Sequence, residues 1–195
     1  MSAKVVRASD YRRMRWKNGG GWTTELAVSP DPSGGDGFEW RISIAEIGSD
    51  GAFSTFPECD RQIALLDGIG MELQFEGDEA VRLEQRLRFF RFAGERNVFG
   101  RLLSGPVRDF NVIARRDAIA VEALHRPLVG PMVFLPEAAT TWLVHVVAGQ
   151  AALKDDSAKL ETGDSLLLEP DPARRNRVLT GGGELVLVKL TRIAA

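Results

Sequence analysis

Apolar and polar residues alternate at a period of two through much of this chain, the pattern of strands whose successive side chains point to opposite faces. In residues 40–46 the alternation puts Trp40, Ile42 and Ile44 on one face and Arg41, Ser43 and Ala45 on the other. The spacing predicts further strands over 62–66, 71–75, 89–92, 108–114, 118–123, 132–135, 141–147, 165–168 and 185–190. Turn residues punctuate these runs at Asp67-Gly68-Ile69-Gly70, Glu76-Gly77-Asp78, Ala148-Gly149, Thr162-Gly163-Asp164 and Gly181-Gly182-Gly183, each suited to positive φ or a hairpin. The one helical expectation is a short segment over 8–13. Many short strands at a spacing of about 8–12 residues predict an all-β sandwich or barrel.

A weak internal repeat refines this. Residues 63–73 and 143–153 share an apolar run, a glycine turn and a second run, and each is followed after a polar interval by another strand, 87–92 and 164–169. The expectation is two related β-units, 1–120 and 121–195, with strands open to exchange between them. In the second, Leu160 to Pro170 is similar to the glycine-aspartate turn and strand of cupin barrels, members of the jelly-roll group.

Composition narrows the function classes. A chain of 195 residues, 44% hydrophobic, can bury a sizeable core. Its net charge of −2 argues against a nucleic-acid or anionic-membrane partner, and the basic residues from Arg82 to Arg91 alternate with apolar ones as on a solvated strand face. No run approaches a transmembrane span or a signal-peptide core, and the single cysteine, Cys59, fits a reducing compartment. The expectation is a cytoplasmic protein. Cupins often hold a metal through several histidines, but only His125 and His145 are present, on different strands, and Arg174 to Arg177 follow the second-unit turn. A stable site wants three or four ligands, so neither metal nor other cofactor is expected.

Candidate chemistry concentrates in the first half. Gly19-Gly20-Gly21 between Trp16 and Trp22 reads either as a tight hairpin or as a wall whose bare backbone lets a small acid approach. With no Lys-Ser/Thr pair behind them, these glycines are not a phosphate loop. Asp60-Arg61 stands at the entry to an apolar strand, and Asp109 and Asn111 share a face with Phe110 opposite. Polar residues that point into a β-core must satisfy one another or hold a ligand. Arginine's planar fork matches a carboxylate; an ion pair of Arg61 with Asp60 or Asp109 is the purely structural alternative.

In order and at their distances, Trp16-Lys17-Asn18-Gly19-Gly20-Gly21 with Thr24-Glu25, Trp40 to Ala45, Gly51-Ala52-Phe53-Ser54 through Asp60-Arg61, Leu66-Asp67-Gly68 and Asp109-Phe110-Asn111 resemble the successive signatures of the HutD/Ves family. Glu58-Cys59 stand where a glycine is the more familiar residue. The resemblance implies a bicupin, two jelly-roll barrel units in one chain, from a bacterial cytoplasm. It further implies a role in histidine utilisation for the HutD branch or in stress response for the Ves branch, with no established enzymatic activity. On that reading a small carboxylate of the formylglutamate or urocanate class binds in the first unit. Arg61 anchors it, Asn18, Gly19, Gly20 and Thr24 line the opposite wall, and Ser43, Asp109 and Asn111 orient ligand or anchor. Glu25 accepts from a ligand N–H, and Arg41 takes a second negative charge. The alternatives are a metal-independent lyase, isomerase or hydrolase with Glu25 or Asp109 as base, and a protein-interaction regulator. Pairing of edge strands between subunits leaves a homodimer open.

Overall fold

Strand pairing dominates the structure, a computed structural model that describes residues 1–16, 19–32, 34, 37–156, 158–173 and 175–194. In chain order the strands are β1 (Ser2–Val6), β2 (Arg12–Arg15), β3 (Gly21–Pro30), β4 (Phe38–Ile47), β5 (Gly51–Ala52), β6 (Cys59–Asp67), β7 (Met71–Phe75), β8 (Val81–Leu83) and β9 (Phe90–Ala93). They continue with β10 (Val98–Leu102), β11 (Val107–Arg115), β12 (Ile119–Val129), β13 (Met132–Phe134), β14 (Thr140–Leu153), β15 (Lys159–Glu161), β16 (Ser165–Glu169) and β17 (Arg177–Arg192). The all-β expectation holds: among the described residues there is no α-helix. Where a helix was expected over 8–13, only Ala8–Asp10 forms a 3-10 turn. Arg12–Arg15 is drawn into a hairpin with β3, in which Arg12 faces Glu25 and Arg15 faces Trp22, so pairing overrides the local preference.

The chain divides into two units. One comprises Arg12–Ile119; the other joins Met1–Tyr11 to Ala120–Ala195. In the Arg12–Ile119 unit a six-stranded sheet runs β2-β3-β4-β11-β6-β9 and a four-stranded sheet runs β5-β10-β7-β8. The hydrophobic face of the first carries Ala45, Ile47, Ile63, Leu65, Phe92 and Val107. It packs with Met71, Leu73, Phe75, Leu83 and Val98 of the second into one buried core. In the other unit a single seven-stranded sheet runs β1-β16-β14-β17-β12, with β13 on β17 and β15 on β14. Met1, Leu128, Val144, Val146, Leu166, Leu168 and Leu185 lie in its core. Each hydrogen-bonded path has two ends, so the closed barrels expected from the strand spacing are instead open sheets. Among the described residues the strand orders end at β2 and β9, at β5 and β8, and at β1 and β12.

Two of the expected turns are not turns. Ala148-Gly149 and Gly181-Gly182-Gly183 face one another inside the paired β14 and β17, with Gly149 opposite Gly183 and Ala151 opposite Gly181. The ladder slips by one residue between Val146 and Ala148, a bulge that bends both strands. The glycines are required because the backbones close in: a Cβ on Gly149 would lie 2.2 Å from the Gly182 carbonyl oxygen, and one on Gly183 would lie 2.0 Å from that of Ala148. Asp67 to Gly70, by contrast, does separate β6 from β7, which belong to different sheets.

Candidate functional site

The face of the six-stranded sheet that packs into the core also carries the polar residues, because partners in register share a side. Thr23 on β3 faces Ala45 on β4, and Glu25 faces Ser43. Asn111 on β11 lies between Ser43 and Ile63, and Ile113 lies between Arg41 and Arg61. Over this face folds the segment 53–56, tied to the neighbouring strands by Phe53 N–H donating to the Val98 carbonyl at 2.9 Å and Phe56 N–H to that of Gly94 at 2.7 Å. The result is a cleft of about 620 Å3 walled by Trp16, Thr23, Arg41, Ser43, Phe53, Phe56, Arg61 and Asn111.

Arg61 is 4% exposed and forms the cleft's floor. Its Nη2 donates to Asn111 Oδ1 at 3.0 Å and its Nη1 to the Ser54 carbonyl at 3.1 Å. The rings of Phe53, Phe56 and Phe92 surround the guanidinium, their centroids 5.0 to 5.5 Å from Cζ, within the range of cation–π attraction. Asn111 Nδ2 donates onward to Asp109 Oδ1, so the arginine reaches this fully buried carboxyl through the amide. Asp60, the other candidate partner, is engaged by Arg91 and by Arg116 at 3.2 Å. Arg41 stands beside the floor, its Cζ 4.9 Å from the Phe38 ring centroid and 5.2 Å from that of Phe56. Phe56 is therefore within reach of both guanidiniums.

The electrostatics are those of an under-neutralised pocket. Among the described residues, Arg41 Nε, Arg61 Nε and Asp109 Oδ2 are buried without a hydrogen-bond partner. Burial lowers Arg61 to about 10 against the opposing pull of Asp109, and the charge of Arg41 adds to the lowering. Arg41 is likewise lowered by burial, opposed by Glu25. Burial pushes Asp109 up to about 7, although Arg61 and the Asn111 hydrogen bond pull the other way. Two guanidiniums thus share one cleft above a carboxyl whose burial favours its protonated form.

The structure brings together Arg61, Arg41, Ser43, Asn111 and, just beneath them, Asp109, with Glu25 close enough to Arg41 to act on its charge. It places Gly19 and Gly20 elsewhere. They border a separate cleft of about 400 Å3 with Trp22, Glu46, Gly48, Asp67 and Arg108. The triplet serves the β2–β3 hairpin: Gly19 takes φ +75, and a Cβ on Gly21 would sit 2.4 Å from the Glu46 carbonyl and 3.1 Å from the Trp16 ring. Thr24 pairs with Ile44 on the opposite face, leaving the wall to Thr23, whose Oγ1 accepts from Trp16 Nε1 at 2.8 Å. Asn18 lies outside the described residues. Sequence reading passed over Phe53, Phe56, Trp16 and Thr23 as site residues. Residues 22–25, Trp-Thr-Thr-Glu, carry no alternation that separates Thr23 from Thr24, and nothing local marks an aromatic as the wall of a guanidinium cage.

The remaining reactive groups lie apart from this cleft. His145 is buried with Nδ1 3.0 Å from Ser165 Oγ, and burial raises the Cys59 thiol, which disfavours the nucleophilic thiolate. Among the described residues no group of three His, Cys, Asp or Glu is placed to hold a metal ion, and no helix is long and apolar enough to cross a membrane.

The open sheets carrying this cleft define the chain as a protein of cupin-like β fold. The Ylba protein of Escherichia coli superposes with a TM-score of 0.74 at 8% identity over 99% of this chain and 92% of the other. The pirin YhhW of the same organism, solved with nickel(II), does so at 0.73 and 14% over 99% and 100%. The chain belongs to the HutD family, whose pattern it matches over residues 8–187. HutD from Pseudomonas fluorescens superposes with a TM-score of 0.85 at 36% identity, covering 99% of this chain and 100% of that one. Protein Ves of Cronobacter sakazakii is 33% identical over 90% of this chain and 92% of its own length. An uncharacterised 21.2 kDa protein of Pseudomonas putida, named for the region 3′ of hutC, is 47% identical over 56% of this chain, a match that spans 57% of that protein.

Proposed function

We propose that the Arg61 cleft binds a small carboxylic acid and that the protein acts by holding it, without turnover, as a modulator of histidine utilisation. The observation that carries this reading is the pair of guanidiniums, each with a buried Nε lacking a partner among the described residues, converging on one cleft. Bringing two cations out of water side by side is unfavourable unless an anion joins them. Arg61 is the anchor, Asn111 and the Ser54 carbonyl fix its plane, Ser43 and Thr23 supply hydroxyls, and Arg41 with Glu25 faces the ligand's far end. That a HutD of Pseudomonas fluorescens was solved in a formate condition, and that a relative is named for the hutC region, supports acids such as formylglutamate or urocanate. In this reading the two units are cupins, the second degenerate, and the protein is cytoplasmic.

Thermal melting with each acid tests the proposal. Ligand at 100 times Kd stabilises the native state by about 2.7 kcal/mol, a rise of roughly 5–10 °C for a chain of this size. Arg61→Ala, which removes a charge-assisted pair of about 1.5–3 kcal/mol, is expected to weaken binding roughly tenfold to a hundredfold; an undiminished rise would place the anchor elsewhere. Product formation beyond one equivalent, followed by NMR, would replace binding with catalysis.

A further inference from the structure

Asp109 is 0% exposed and sits on β11 between Ala45 of β4 and Leu65 of β6, within the apolar core that β7 and β10 complete with Leu73, Phe75 and Val98. One carboxyl oxygen accepts from Asn111 and the other has no partner among the described residues. By register and alternation the charged groups on the same face of the described strands are Arg61 of β6, Arg41 and Glu39 of β4, Glu25 of β3, Arg12 of β2 and Arg115 at the end of β11, with Arg15 also lining the cleft; the strands across it contribute apolar side chains. Among the described residues Arg61 is the cation whose charge favours the ionised Asp109 carboxylate, and it is also the group a bound carboxylate would engage.

Resting on the reading of this cleft as a carboxylate site, we propose that Asp109 takes up a proton from solvent when a carboxylate seats against Arg61, so that the acid enters as its anion together with one proton. Asn111 couples the two events, since its amide touches both Arg61 and Asp109. A new anion at Arg61 cancels the attraction that stabilises ionised Asp109 and adds a like charge nearby. With Asp109 near 7 in the free protein, linkage makes affinity level below neutrality and weaker by up to about tenfold per pH unit above it.

The test uses formate, which stays ionised from about pH 5.5 to 8.5. Titration calorimetry of the full chain in two buffers of different ionisation enthalpy is expected to show uptake approaching one proton at about pH 8 and little at about pH 5.5. Kd is expected to rise at least about tenfold from pH 6 to pH 8.5, and Asp109→Asn, which keeps the shape, is expected to bind with the same affinity throughout. Formate binding with no proton uptake and no pH dependence overturns the proton coupling while leaving the carboxylate site standing. Unchanged pH dependence in Asp109→Asn assigns the proton to another group and overturns it equally. Absence of formate, formylglutamate and urocanate binding at every pH instead removes the site itself. The buffer comparison needs no variant, so it decides the matter even if Asp109→Asn fails to fold.

Discussion

Asp109 carries a stability signature separate from any ligand. Its carboxyl ordinarily titrates at 3.8 and is raised by burial to about 7 in the folded chain, so between those values the folded state keeps a proton that the unfolded state has lost. Its contribution is complete below the lower value, declines as pH rises through the window, and is level above it. From pH 5 to pH 8 the wild type is expected to lose on the order of 2–3 kcal/mol relative to Asp109→Asn, read as a convergence or crossing of the two melting curves. Parallel curves would show that the carboxyl is ionised throughout. At this scale much of the cleft was legible: Arg41 and Ser43 share a face by simple alternation, and Asp109 and Asn111 by the same rule. Glu58, standing where glycine is the more familiar residue, holds φ 60, the backbone conformation glycine favours. What alternation could not supply was the side of the hairpin: Thr23 rather than Thr24 lines the wall, because side follows from register with β4 and register is set by residues far along the chain.

Among the elements, strand existence was readable and strand extent was not. The period-two runs located β7, β11 and β16 to within a residue at each end and fell inside β4 and β6, which begin two and three residues earlier, yet the glycines of β14 and β17 read as turns when they are a bend held by two facing backbones. Local sequence specifies that a glycine needs room; it does not specify whether the chain reverses there. Two substitutions separate the effects. Gly149 and Gly130 have similar φ, +87 and +89, but a Cβ meets backbone at 2.2 Å at Gly149 and nothing within 4 Å at Gly130. Gly130→Ala is expected to cost only the left-handed penalty of about 1–2 kcal/mol. Gly149→Ala adds the collision and is expected to lower the melting temperature by at least about 5 °C more, at about 2–4 °C per kcal/mol. Equal losses would mean that the ladder can widen freely at the bend.

For the molecule as a whole, the element least visible in the sequence is β1. Ser-Ala-Lys-Val-Val is too short to show a period, and its partner is β16, with Ser2 opposite Glu169 and Val6 opposite Ser165. Around it Arg7 pairs with Asp164 at 2.8 Å, the Ala8 N–H donates to Asp164 Oδ1 at 2.9 Å, and the Tyr11 hydroxyl donates to Ser165 Oγ at 2.7 Å. Residues 1–11 are thus structural members of the unit formed by 120–195, a grouping that composition does not announce. Deleting residues 2–6 strips one edge of β16, and the expected result is loss of amide-exchange protection at 165–169 with β4 and β11 keeping theirs. Retained protection at 165–169 would make β1 an ornament of that sheet.

The same strand sets an order of events during synthesis. β1 is made well ahead of its partner β16, and at roughly 5–20 residues per second the interval is on the order of ten to thirty seconds. Through that interval Val5 and Val6 lack their β16 partner, while the strands of the Arg12–Ile119 unit are made and can pair among themselves before it ends. Docking of β1 is therefore a late step that waits on β16, after the strands of the Arg12–Ile119 unit have been made.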